Sequence, residues 1–375
     1  MARFPENDII TLVGTAPRHD LAESTGPDLR LDALLGESGI GDLALGYGTA
    51  AGDRKLRQEI AGQHGVGPED VVVTVGGMHA LFLLAFILCE RGDEAVTTAP
   101  LFPLARNALE AVGARLSILP LAFDRGYRPD LAELRALLSP KTRLVSLASP
   151  QNPSGVALPQ EMLRATLALM AEICPAAHLL VDETYRDAAY GDDRVAPTAV
   201  TLDPRVVSIA SLSKCHGAPG LRLGWAITHD PALRAQLVLG KFNTVISCSA
   251  VDEALALRLL AGRERIIGER RRHLAEGLRR TAAWVQENGA LVDWVRPDAG
   301  AICCIRLKPS VFDAAAVARF HEAQVSAGVR TARGSWFGEE DRVFRLGFGL
   351  LAMPELDAAL AALATALRRA LPAAA

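Results

Sequence analysis

The chain has 375 residues, half of them hydrophobic, enough for a large core in about two domains. A formal net charge of −3, with acidic and basic residues interspersed, offers no basic field to nucleic acid. The N-terminus Met1-Ala-Arg-Phe-Pro5 carries no apolar signal core, and the longest apolar run, Ala80–Cys89, falls short of the about 20 residues that span a bilayer.

In chain order, residues 1–41 are too short for a domain and are expected to pack with the C-terminal part of the chain. Residues 42–284, expected to be the large domain, alternate β-rich runs with helical stretches. Val71–Val75 predicts a strand and Met78–Cys89 an apolar helix. Glu94–Thr98 and Arg115–Leu119 predict strands around a helix over Leu104–Val112, and Arg143–Leu147, His178–Asp182 and Val206–Ala210 predict further strands. Continuous apolar strands separated by helices imply an α/β fold, a mostly parallel sheet sandwiched by helices. From about residue 230, Ala/Leu/Arg-rich helices run to about Asn288, and the charged run Arg263–Arg272 has the spacing of a solvated helix face. Residues 285–375 read as a smaller α+β domain, with strand runs in Ala290–Leu307 and Arg342–Gly349 and helices over Ala314–Ala327 and Pro354–Leu371.

Ligands of an open parallel sheet bind beyond the carboxyl ends of its strands. There the chain carries Gly76-Gly77, Pro100-Leu-Phe102, Asn152-Pro-Ser-Gly155, Asp182-Glu-Thr-Tyr185 and Ser211-Leu-Ser-Lys214. The last of these is the most telling. A charged, unpaired lysine at the end of a buried strand is costly, and an imine to an aldehyde cofactor removes that cost. The hydroxyls of Ser211 and Ser213 and the guanidinium of Arg222, in the Gly/Pro-rich turn that follows, are the groups that hold a phosphate. A lysine among phosphate ligands points to pyridoxal 5'-phosphate (PLP).

Together with Tyr47-xxxx-Gly52, Gly76-Gly-Met78 and Phe344-Arg345, these pieces stand in an order that resembles the class I/II aminotransferases, which are fold-type I PLP enzymes. The resemblance covers nearly the whole chain. It implies a PLP cofactor, amino acid and 2-oxo acid substrates, and a homodimer with shared active sites.

The resemblance also implies roles. Lys214 would hold PLP as a Schiff base and, once released, carry a proton to and from the substrate α-carbon, which requires a pKa lowered toward neutrality. Asp182 would pair with the pyridine nitrogen and keep the ring protonated as an electron sink. Tyr185 and Asn152 would hydrogen-bond the cofactor's phenolic oxygen, and Phe102 would lie on the ring face. Gly76, Gly77 and Met78, which end a strand and open a helix, would offer backbone N–H groups and the helix dipole to the phosphate. Ser211, Ser213 and Arg222 would add side-chain donors, and Tyr47 would reach the phosphate of the neighbouring subunit's site. Arg345 would clamp the substrate α-carboxylate bidentately, with Asn152 beside it. Gly14 would let an N-terminal segment lie over the substrate. Other uses stay open for single residues: Asp182 suits a helix N-cap, Asn152-Pro-Ser-Gly a turn, Phe102 a core position and Arg345 an exposed strand face.

Cys215-His216 departs from the small, hydroxyl or aromatic residues usual after the lysine; His216 reads as a polar loop residue, with a role supporting the site as the alternative. Asn243–Ser249, where aspartate-specific relatives carry a second arginine, has none. Neutral or cationic amino acids are therefore expected over dicarboxylates, with Lys241 and Arg18 as the available substitutes. Transamination is the leading activity. The same cofactor motifs serve β-elimination or a cyclisation of the capreomycidine-synthase kind, whose Gly-Leu-Arg-Leu-Gly-Trp segment Gly220–Trp225 also resembles. Six cysteines without CxxC or zinc spacing are expected to be reduced thiols of a cytoplasmic protein, and eight scattered histidines give no reason to expect a metal. An aminotransferase-like regulator would need a DNA-binding module ahead of the PLP region, and the matching pieces begin too near Gly14 to expect one.

Overall fold

The computed structural model describes residues 8–12, 17–35 and 39–371. Its centre is a seven-stranded sheet with the spatial order Val71–Thr74, Gly224–Thr228, Val206–Ser211, His178–Asp182, Thr142–Ala148, Glu94–Ala99 and Arg115–Pro120. Only Gly224–Thr228 runs against the others. Successive residues of each strand face opposite sides of the sheet. Leu144, Leu180 and Val207 therefore pack under the helices Gly76–Leu88, Pro103–Ala111 and Pro231–Val245, whereas Val145, Leu179 and Val206 pack on Gln160–Ile173. Each such buried aliphatic side chain contributes about 1.5–3 kcal/mol. Both faces are covered, which is why the strands read as unbroken apolar runs rather than alternating ones.

The antiparallel strand Gly224–Thr228 lies in a stretch whose sequence suggested only the end of a turn. It is entered directly from the Gly/Pro-rich loop after Lys214, without a helix between. Its direction has a consequence for the site, because it begins at the sheet edge where its parallel neighbours end. Arg222 is thereby delivered to the same edge as Gly76, Asp182 and Ser211.

The second sheet is four-stranded and antiparallel, in the order Ala332–Arg333, Val343–Gly347, Ile302–Leu307 and Val292–Val295. The run Ala290–Leu307 is thus two strands, split by Arg296-Pro-Asp-Ala-Gly300, and Trp294 lies opposite Ile305. The helices Ala314–Ser326, Met353–Ala370 and Arg263–Glu287 share the core of this sheet. Arg263–Arg272 is helical as expected, but Arg263 turns inward to Asp187, at 3.1 Å. The N-terminal residues His19–Asp20 pair in parallel with Val329–Arg330, and Leu21 joins the core of the second sheet. Among the described residues no helix is long and apolar enough to cross a membrane.

Candidate active site

The strand Val206–Ser211 is buried along its whole length and stops at Ser211. The turn that follows folds back so that Leu212 N–H donates to Leu223 O at 3.0 Å, which fixes Lys214 at the carboxyl edge of the sheet. There a cavity of about 250 Å³ opens. Its wall brings together Gly77, Met78, Phe102, Asn152, Asp182, Tyr185, Ser211, Ser213, Lys214 and Arg222.

Burial lowers the Lys214 amine to about 8; the Glu23 charge opposes this, and the Arg345 and Arg222 charges add to it. Asp182 ends its strand and accepts a hydrogen bond from Thr184 N–H at 2.9 Å. Burial raises its carboxyl pKa, while Thr184 and the Lys214 charge pull it down. Tyr185 is pushed up to about 12 by burial, and its buried hydroxyl has no hydrogen-bond partner among the described residues.

The anion-binding end is built from backbone. The helix Gly76–Leu88 begins after Val75 with no side-chain cap, so its first-turn N–H groups remain available to a ligand. Arg222 reaches over this terminus from a left-handed backbone (φ 46°), a conformation that costs a non-glycine residue on the order of 1 kcal/mol or more. Its Nη1 donates to Pro219 O at 2.9 Å. Nη2 lies where a Cβ on Gly76 would come within 2.7 Å, so Gly76 stands under the guanidinium, behind the cavity wall. Gly224 is required for the same packing, since a Cβ there would stand 2.5 Å from Gly77 N. An uncapped helix terminus, two serines and a guanidinium form a phosphate-binding donor set. With the unpartnered Tyr185 hydroxyl, the Asp182 carboxylate and the Lys214 amine on the same wall, the residues present fit PLP.

Not every expected residue lies on this wall. Arg345 is 2% exposed and stands behind it, donating from Nη1 to Asn152 Oδ1 at 2.9 Å and from Nη2 to Ala22 O at 2.5 Å. Tyr47 is 87% exposed and lies away from the cavity of its own chain. Gly14 lies outside the described residues. Lys241 is fully buried beside Cys248 and Glu253, and among the described residues neither it nor the exposed Arg18 lines the cavity.

His216 lies in the loop after Lys214, as expected, but faces the interior and not solvent. It is 2% exposed, neither ring nitrogen has a partner among the described residues, and burial lowers it to about 4. The loop after Lys214 packs inward on Asp187 and Arg263, which sequence spacing does not reveal. Cys215 is buried too, its Sγ donating to Thr184 O at 3.0 Å.

Sequence reasoning missed Ser24, whose Oγ accepts a hydrogen bond from Lys214 Nζ at 3.0 Å. No local motif marks it, because it comes from the N-terminal segment. Thr184 was within reach, inside Asp182-Glu-Thr-Tyr185, and also lines the cavity. A second cavity of about 360 Å³ shares Ser24, Tyr185 and Lys214 with the first and extends toward Asp28, Arg270 and His273.

The profile of the family described as aminotransferase class I and II matches residues 23–363. Capreomycidine synthase of Streptomyces vinaceus is 32% identical over 332 residues, 88% of this chain and 83% of that protein. The arginine–pyruvate transaminase of Pseudomonas aeruginosa is 31% identical over 354 residues, 88% of this chain and 86% of that protein. A PLP-dependent aminotransferase of Streptococcus suis superposes with a TM-score of 0.89 at 24% identity, covering 99% of this chain and 100% of that one. With the family matched along nearly the whole length and a cavity whose donors suit the cofactor, the chain belongs to the class I and II aminotransferase family and is a PLP-dependent enzyme.

Proposed function

We propose that the protein is a transaminase that moves an amino group between an amino acid with a neutral or cationic side chain and a 2-oxo acid. The observation that carries this reading is a single cavity walled by a lysine amine held near pKa 8, a half-buried carboxylate and a phosphate-binding donor set. Bound PLP supplies the electron sink for the substrate carbanion. Lys214 Nζ, neutral in a good fraction of molecules near pH 8, takes the proton from the substrate α-carbon. Asp182 holds the pyridine nitrogen, Tyr185 and Asn152 the phenolic oxygen, and Phe102 the ring face. Gly76, Gly77, Met78, Ser211, Ser213 and Arg222 hold the phosphate. Arg345 binds the α-carboxylate beside Asn152.

The substrate preference is supported by the missing arginine in Asn243–Ser249, by Lys241 lying buried beside Glu253, and by similarity to an arginine–pyruvate transaminase. A homodimer is supported by apolar side chains left open on two packed helices, Phe86 on one and Leu239 and Phe242 on the other, with Leu45 and Tyr47 exposed as well. In that dimer Tyr47 serves the phosphate of the opposite site. Six buried, free cysteines support a reducing, cytoplasmic setting.

The test is an absorbance-monitored screen of amino acids with the purified holoenzyme. Conversion of bound PLP to pyridoxamine phosphate, without release of ammonia, identifies transamination and the donor. A second reading, elimination or a cyclising replacement, is favoured by the similarity to capreomycidine synthase. It calls for substrate consumption with the cofactor returned as PLP.

A further inference from the structure

The segment Asp20–Thr25 is threaded between the second sheet and Lys214 and is pinned at Asp20, Leu21, Ala22 and Thr25. Asp20 pairs with Arg330 at 2.6 Å, and its Oδ1 accepts from Ala22 N–H at 3.0 Å. Gly347 N–H donates to Leu21 O at 2.7 Å, and a Cβ on Gly347 would strike the Glu23 carbonyl oxygen, so only glycine lets the segment lie this close. Arg345 Nη2 holds Ala22 O at 2.5 Å, and Thr25 Oγ1 reaches Ser213 O at 3.4 Å. What these pins deliver is one hydroxyl. Ser24, 5% exposed, stands 3.0 Å from Lys214 Nζ and is the hydrogen-bond partner of that amine among the described residues.

The position matters because Ser24, Lys214 and Tyr185 form the wall common to the two cavities. A lysine that leaves a covalent link regains a flexible stem and has a second void open to it. Proton transfer needs the donor and acceptor held in near-attack geometry. The charged groups that face Lys214 are Glu23 and Asp182, which favour its ammonium form, and Arg345 and Arg222, which oppose it, while the Tyr185 hydroxyl lies beside Ser24.

We propose that Ser24 is a positioning residue for Lys214, its hydroxyl docking the amine at the wall shared by the two cavities whenever that amine is not covalently engaged. The inference rests on the reading of Lys214 as the PLP lysine. Ser24 reaches the reaction through Lys214.

The test uses PLP-free protein first. Carbamylation of Lys214 by cyanate, followed by peptide mass spectrometry across pH, reports the titration of the amine in wild type, Ser24→Ala and Ser24→Thr. The wild-type midpoint is expected near 8. Ser24→Ala removes an acceptor that favours the ammonium form, so its midpoint falls by roughly one pH unit, and Ser24→Thr restores most of the shift. In holoenzyme, Ser24→Ala lowers kcat roughly tenfold with KM for the amino acid nearly unchanged, and Ser24→Thr recovers most of the rate. Cyanate profiles that superimpose, or a KM that rises while kcat holds, overturn the proposal. Ser24→Gly repeats both measurements should the alanine variant fold poorly. A borohydride-stable PLP adduct on another lysine overturns the underlying reading and the proposal with it, whereas superimposed cyanate profiles overturn the proposal alone.

Discussion

Arg345 and Asn152 join the two sheets: Nη1 of the arginine, on Val343–Gly347, donates to Oδ1 of the asparagine, in the loop after Thr142–Ala148, at 2.9 Å. The guanidinium also lies 4.7 Å from the Phe337 ring centroid, and its Nε is buried without a partner among the described residues. This arginine is oriented from three sides before any substrate arrives, and an incoming carboxylate replaces or shares these contacts instead of having to order a free side chain.

Arg345→Lys is therefore expected to lower kcat/KM for all amino acids by a similar factor, about 2–5 kcal/mol, because lysine offers neither the fork nor the link to Asn152. An amine lacking the carboxylate should lose much less. Paired kinetics on an amino acid and its decarboxylated amine decide this, and equal losses on both assign Arg345 a purely structural role.

Lys214→Ala should abolish turnover and the borohydride-reducible link to PLP, while the circular dichroism spectrum stays that of the wild type. The neighbouring donors should still retain PLP non-covalently. A reducible adduct on any other lysine contradicts the assignment.

Asp182→Ala should keep a measurable share of its PLP through the phosphate donors but lose at least ~10²-fold in kcat, since the charge that holds the ring protonated is gone. Near-normal turnover would mean that the ring nitrogen has another partner.

The half-buried lysine also has a stability signature. Its pKa falls from 10.5 in the unfolded chain to about 8 in the fold, mainly through burial. Between these values the unfolded state binds more protons, so the stability of PLP-free protein rises with pH across this window. Below pH 8 both states are protonated and the full cost of the buried charge remains. Urea midpoints measured from pH 8 to pH 10 should climb by an amount equivalent to about 3 kcal/mol at most, and Lys214→Met should remove that part of the slope. Parallel slopes in the two proteins would show that the amine does not titrate here.

Assembly gives a separate check. Phe242 is 54% exposed. Phe242→Asp should shift the protein toward monomer in sedimentation velocity, and Tyr47→Phe should weaken PLP retention without changing the sedimentation coefficient. A fully active wild-type monomer at assay concentration would exclude shared sites.

The linear sequence carried the large sheet and the cofactor end of the site because both depend on short-range order. Apolar runs such as Val206–Ala210 are legible as buried strands, and parallel strands separated by helices bring Gly76-Gly77, Asp182 and Lys214 to one edge whatever the details of packing. Three things were decided only by tertiary structure. Gly224–Thr228 became a strand because the gap between two others is filled by chain returning from the same edge. His216 and Cys215 turned inward because the loop after Lys214 must cover a buried Asp187. Ser24 reached the lysine through a chain of contacts from Arg330, Arg345 and Gly347, residues some three hundred positions away. Local pattern records how a residue sits on its own element, whereas a hydroxyl placed by contacts between distant segments leaves no periodic trace in the chain.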